Sequence, residues 1–235
     1  KQKTAYEMLR SLVGSEMCIR DRPELVWLDS QKYEKDPSLL SELSEMSGVV
    51  IPGGFGSRGV EGIVDSIKYL RENKIPFLGI CYGMQMAVVE YARNFCNLEN
   101  ANTYEIDSET PHPIISLMPD QPEKLNDEGY GGTMRLGSYP CRLATGTLAE
   151  KIYGTDLIHE RHRHRYEFNN KYRKCLQDAG FVFSGTSPDG RLVEIAELPE
   201  TTHPFFIGVQ FHPEFKSNPL KPHPLFMKFA EACIL

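Results

Sequence analysis

The chain has little that would mark it as membrane-spanning, disulfide-scaffolded or nucleic-acid-binding. No apolar run in the sequence approaches the ~18 residues that a membrane span needs. Basic residues are the minority, 26 against 32 acidic ones, and the net charge is -6. A nucleic-acid-binding domain usually carries a net basic field, so neither nucleic acid nor membrane is an expected partner. The six cysteines stand at 18, 81, 96, 141, 175 and 233 without C-x-x-C pairing. A chain of 235 residues can bury a sufficient core without disulfides, which predicts a reduced, cytoplasmic protein. His159, His162 and His164 cluster, but no cysteine lies near them at zinc spacing, and no metal is expected. There is no internal repeat and a single tryptophan.

What is present alternates. Residues 1–22 lack the order of a signal peptide and do not share the pattern of the rest of the chain; they are read as a non-native tail, and 23–235 as one domain. Leu25-Val26-Trp27-Leu28 reads as a strand ending at Asp29-Ser30. Pro37 to Met46 has helical spacing, and Gly48 to Ile51 reads as a strand running into the loop Pro52-Gly53-Gly54-Phe55-Gly56. Val60 to Asn73 carries apolar residues at 60, 63, 64, 67 and 70, a helical period. Ile75 to Ile80 reads as a buried strand, and Tyr82 to Phe95 as another helix. This alternation predicts an α/β fold with a parallel sheet and helices on both faces. Pro119 to Gly132 is predicted to be an exposed loop. Phe181-Ser184, Arg191-Leu198 and Phe205-Phe211 suggest a meander at one sheet edge, and Pro224 to Cys233 a closing helix.

The strongest local signal is Gly79-Ile80-Cys81-Tyr82-Gly83, between a predicted strand and a predicted helix. This is the nucleophile-elbow pattern with cysteine as nucleophile. The sharp turn strains the middle residue, and side chains at the flanking glycines would strike the neighbouring strand and helix. The thiol then stands at a helix N-terminus, which favours thiolate. Such a nucleophile needs a base and an orienting group. His212 and Glu214, two apart at the end of a predicted strand, supply candidates, since a carboxylate beside an imidazole sets its tautomer. The Pro52 to Gly56 loop matches no phosphate-binding pattern and can instead aim backbone N–H groups at a developing oxyanion.

An elbow cysteine, a downstream His-x-Glu and an upstream Gly-Gly loop together resemble the class I glutamine amidotransferases. Five further segments are similar to the glutaminase domains of the CTP synthase family. They are Arg58-Gly59-Val60-Glu61-Gly62, Gly131 to Gly137, Glu160 to Glu167, Phe211-His212-Pro213-Glu214-Phe215 and Pro222 to Phe226. The resemblance runs from about Pro23 to the C-terminus. It implies a flavodoxin-like, open, mostly parallel sheet, with L-glutamine as substrate. By motif position it implies Cys81 as nucleophile, His212 as base and Glu214 as its orienter. It makes the backbone N–H groups of Gly54 and Tyr82 the oxyanion donors. It sets Glu105 and Arg165 on the amino-acid end of glutamine, with Tyr82, Gly83, Met84 and Gln85 lining the pocket. No cofactor is implied for this domain. The full-length enzymes add an amidoligase (synthetase) domain that converts UTP to CTP with ATP and Mg, GTP as effector, and assembly into homotetramers.

Three departures accompany the resemblance. The amidoligase domain is absent, and the family's first glutaminase strand and following helix are replaced by the tail. Tyr82 stands where CTP synthases usually have Leu, and Gly-Ile-Cys-Tyr-Gly-Met-Gln is locally more like GMP synthetases. Position 82 is expected to contribute mainly its backbone N–H. The alternative functions are the glutaminase of another amidotransferase, such as GMP synthetase, and a non-catalytic fragment.

Overall fold

The structure, a computed structural model, describes residues 24–117 and 134–234. The tail assigned to residues 1–22 and the loop expected from Pro119 to Gly132 lie outside the described residues, as does the Gly131 to Thr133 end of its motif.

Seven strands make the main sheet, in the order β1 (Val49–Ile51), β2 (Phe77–Ile80), β10 (Phe206–Val209), β9 (Val193–Glu197), β8 (Val182–Thr186), β5 (Arg135–Leu143) and β6 (Leu157–His164). Strands β3 (Asn102–Thr103), β4 (Pro113–Ser116) and β7 (Glu167–Phe168) form a small second sheet. The pairings β1–β2 and β2–β10 are parallel, and those from β10 through to β6 are antiparallel. All four residues of β2 are buried, as are all four of β10. Continuous apolar runs of this kind belong to strands covered on both faces.

The cover is visible in how alternate residues divide. Phe77 of β2 and Phe206 of β10 face a core with helix α2 (Val60–Glu72) and helix α3 (Tyr82–Phe95). Leu78, Ile80, Ile207 and Val209 face a second core with α4 (Leu148–Tyr153) and α6 (Pro224–Ala232). Helices therefore lie on both faces, as the strand–helix alternation predicts. Helix α1 (Ser30–Lys35) and a 3-10 helix at Pro37–Glu45 lead into β1, and α5 (Arg173–Asp178) precedes β8. Among the described residues no helix is long and apolar enough to cross a membrane.

Two sequence expectations are corrected. Residues 25–28 form no strand: Leu25, Val26 and Trp27 are exposed, Trp27 at 65%. No described strand pairs with them, and the chain instead enters α1 through Asp29, whose carboxylate caps the Gln31 N–H at 3.1 Å. The β8–β9–β10 meander is present but lies in the middle of the sheet, since β10 inserts beside β2 while β6 takes the edge.

Candidate functional site

The parallel strands β1, β2 and β10 end side by side. Ile51 pairs with Gly79, and Ile80 with Val209. The three segments singled out in the sequence leave these three ends, so the Gly53-Gly54 loop, the Cys81 turn and His212 meet at the carboxyl edge. Open α/β sheets place their sites at that edge.

Cys81 joins β2 to α3 at φ 51°, ψ -94°, a strained region for a residue with a side chain. Its N–H is held by the Val209 carbonyl at 2.6 Å. The flanking glycines are there for space. A Cβ on Gly79 would stand 2.7 Å from the Gly83 carbonyl carbon, and one on Gly83 would overlap the Ile51 carbonyl oxygen. The thiol is buried, 6% exposed, at the start of α3.

His212 Nδ1 lies 2.6 Å from Glu214 Oε1. Both residues are buried, and Glu214 stands on a short 3-10 turn, Pro213–Phe215. Burial disfavours the charged imidazole, but the Cys81 sulfur and then the Glu214 carboxylate outweigh it and push His212 up to about 10. The other ring nitrogen, Nε2, is buried and makes no protein hydrogen bond of good geometry, so the interaction with Cys81 is electrostatic proximity at rest. Gly53 explains how the ring comes so close: a Cβ there would stand 2.8 Å from His212 Cε1 and 3.7 Å from Cys81 Cβ.

Tyr82 occupies the first position of α3, where a backbone N–H has no partner within the helix. Gly54 lies across from it, with the Tyr82 ring 3.5 Å from where a Gly54 Cβ would be. The Tyr82 hydroxyl donates to the Gly56 carbonyl at 2.6 Å. Glu105, in the turn after β3, accepts from the Gly56 N–H at 3.4 Å. Burial raises the Glu105 carboxyl, while the Gly56 hydrogen bond and the Arg165 charge oppose the rise. Arg165 follows β6 in the bend before β7. Glu105 and Arg165 thus share one neighbourhood beside Tyr82.

Not every residue assigned to the pocket faces it. Met84 is fully buried in the core, with its Cβ 2.9 Å from where a Gly208 Cβ would be. Gly83 gives clearance to β1. Gln85 uses its amide on the Tyr166 carbonyl and on Gln210 Oε1, each at 3.2 Å. Gln210 carries no sequence motif of its own, yet its Nε2 donates to Cys81 Sγ at 3.5 Å. Nothing in a residue flanked by Val209 and Phe211 signals that role.

Behind His212 lies a polar cluster in the core. Arg135 donates to Glu194 at 2.6 Å and reaches Glu167 at 3.4 Å, and His164 Nε2 lies 2.7 Å from Glu167. His162 is 3.5 Å from Glu194, and its ring is driven down to about 2, first by burial and then by Arg135, His164 and His212. His162 and His164 of β6 therefore face inward, while His159 and Arg161 are exposed.

Comparison with known proteins identifies the family. The profile of the family "Glutamine amidotransferase class-I" matches residues 7–232. The chain is 59% identical over 213 residues to CTP synthase of Rubrobacter xylanophilus, covering 91% of this chain and 38% of that protein. It is 55% identical to CTP synthase of Carboxydothermus hydrogenoformans, covering 91% of this chain and 39% of that protein. The chain thus spans about two-fifths of these relatives. The structure superposes on the glutaminase domain of Trypanosoma brucei CTPS with bound acivicin at a TM-score of 0.89 and 32% identity, covering 97% of this chain and 87% of that one.

Proposed function

The chain belongs to the class I glutamine amidotransferases, and from that premise we propose that it is the glutaminase of a CTP synthase, hydrolysing L-glutamine to supply ammonia. The observation that carries this reading is the junction of three strand ends at which Cys81, the His212–Glu214 pair and the Gly53-Gly54 loop meet. Identity of more than half over nine-tenths of the chain to two CTP synthases supports the choice of pathway.

In this mechanism Cys81 attacks the side-chain amide carbonyl of glutamine. An imidazole pushed up to about 10 by its sulfur and carboxylate neighbours is protonated at neutral pH, so His212 stands beside the Cys81 sulfur with a proton to give. The oxyanion that forms is met by the Gly54 and Tyr82 backbone N–H groups, which need no reorganisation during the reaction. His212 gives its proton to the departing ammonia, leaving a glutamyl thioester on Cys81. The neutral ring then takes a proton from water, which attacks the thioester and releases glutamate. Glu214 holds Nδ1 throughout, keeping Nε2 turned to the sulfur. Arg165 and Glu105 receive the carboxylate and ammonium of the substrate.

The partner of this domain is a synthetase domain that consumes the ammonia in converting UTP to CTP. ATP and Mg belong to that partner, GTP acts as effector and the whole enzyme is tetrameric.

The test is direct. Cys81→Ala abolishes ammonia release from glutamine and leaves the circular dichroism spectrum unchanged. A diazo-ketone glutamine analogue modifies Cys81 and spares Cys96 and Cys141. Equal labelling of either of those cysteines sinks the assignment.

A further inference from the structure

The loop Pro52 to Ser57 carries one of the two oxyanion donors, yet it has few ties to the rest of the molecule. Among the described residues its hydrogen bonds are two, both at Gly56: Tyr82 Oη donates to the Gly56 carbonyl at 2.6 Å, and Glu105 accepts from the Gly56 N–H at 3.4 Å. Phe55, between the donor and the tie, is 75% exposed. The shorter tie comes from the residue directly after the nucleophile, whose own N–H is the other donor.

We propose that the Tyr82 hydroxyl is a positioning group for the oxyanion site. One residue supplies one donor from its backbone and grips, with its side chain, the loop that supplies the other. The spacing between the two N–H groups is then set within a single residue and does not depend on how a loose loop happens to sit. Several observations fit this role. The oxygen–oxygen distance is at the short end for a hydroxyl bond. The ring lies over Gly54, which limits how far that segment can lift. Burial, and then the Glu105 charge, raise the phenol above its ordinary range, so it remains a donor across the working pH. The role deepens the glutaminase reading and rests on it. Tyr82 touches no reacting atom through its ring; it acts through Gly54.

Tyr82→Phe keeps the ring and deletes the tie. Misplacement of a reacting group by about 1 Å costs on the order of 100-fold, and a lost oxyanion donor costs a similar factor. A loosened donor lies below that limit, so kcat for glutamine falls by roughly tenfold, while KM moves less than about twofold. Glutamate γ-semialdehyde, whose adduct with Cys81 places an oxygen in the oxyanion site, loses affinity in parallel with kcat. Alkylation of Cys81 by iodoacetamide, which builds no oxyanion, keeps its rate. Hydrogen exchange at the Gly56 amide quickens, and exchange in α3 does not. Unchanged kcat overturns the proposal, as does an equal fall in alkylation, which means damage to the nucleophile itself. If the wild-type chain releases no ammonia, the glutaminase reading fails instead, and exchange at Gly56 alone decides whether the tether exists; unaltered exchange overturns it.

Discussion

Glu105 and Arg165 lie near one another with opposite charges, Glu105 beside Tyr82, and a free amino acid offers the complementary pair. Arg suits a carboxylate because its planar fork donates two parallel hydrogen bonds. If this is their task, losing one partner of a desolvated pair costs about 2–5 kcal/mol. Arg165→Ala then lowers kcat/KM for glutamine by more than roughly tenfold, while Cys81 still reacts with iodoacetamide. An exposed ion pair without a ligand is worth less than about 1 kcal/mol and tolerates Ala. Unchanged KM in both Arg165→Ala and Glu105→Ala removes them from recognition. At this scale the residues legible in the sequence are those bound into a local pattern. Cys81 announces itself by glycines on either side, and Glu214 by its two-residue offset from His212. Gln210 and the Tyr82 hydroxyl are not legible, because their partners, Cys81 and Gly56, lie 129 and 26 residues away in the chain. Only the folded sheet brings such groups together.

Helix α3 shows how closely an element must be seated for the site to exist. On helix propensity alone, Gly83→Ala gains up to about 1 kcal/mol. The added Cβ, however, overlaps the Ile51 carbonyl oxygen, and backbone cannot yield as a flexible side chain does. Overpacking of this kind costs about 1–3 kcal/mol, so the net effect is destabilising and the denaturant midpoint falls. Because α3 carries the Tyr82 N–H, kcat falls as well. A raised midpoint means that helix and β1 are less closely apposed than described. Elements with a strong apolar period, at 60–72, 77–80 and 82–95, are legible in the sequence because burial and period coincide there. The antiparallel β5–β6 pair, joined through α4, is legible only in the alternating charges of Arg161 to Arg165. The inward side chains of β6 include Glu160, His162 and His164, so its alternation pairs polar with polar and carries no hydrophobic signal. The run at 25–28 misleads in the opposite sense: four apolar residues suggest a strand, but a strand needs a neighbour to pair with.

Buried histidines are pushed in opposite directions, His162 and His203 down and His212 up, and the stability of the whole molecule should follow them. His162 is driven down to about 2, so below its ordinary value near 6.5 the unfolded chain binds a proton that the folded one refuses. Stability therefore falls as the pH drops below about 6.5, with a limiting slope of about 1.4 kcal/mol per pH unit for one proton. His212 is raised to about 10. Its contribution is fully present below about 6.5 and is lost as the pH rises towards 10. Melting temperatures measured from pH 4 to 10 should peak between these limbs. His162→Gln flattens the acid limb, and His212→Gln the alkaline one. Wild-type slopes in both variants mean that neither ring controls the profile.

The chain's one tryptophan lies in the exposed stretch before α1, outside both cores. Its indole is already bathed in solvent when the protein is native, so its emission has little left to change on unfolding. Fluorescence excited at tryptophan wavelengths is nearly silent while the sheet melts, and a flat trace would be mistaken for great stability. Circular dichroism, or the signal of buried tyrosines such as Tyr33 and Tyr91, reports the collapse. The same silence is an asset for another purpose: quenching or a spectral shift of that indole speaks only for residues 24–29 and whatever approaches them.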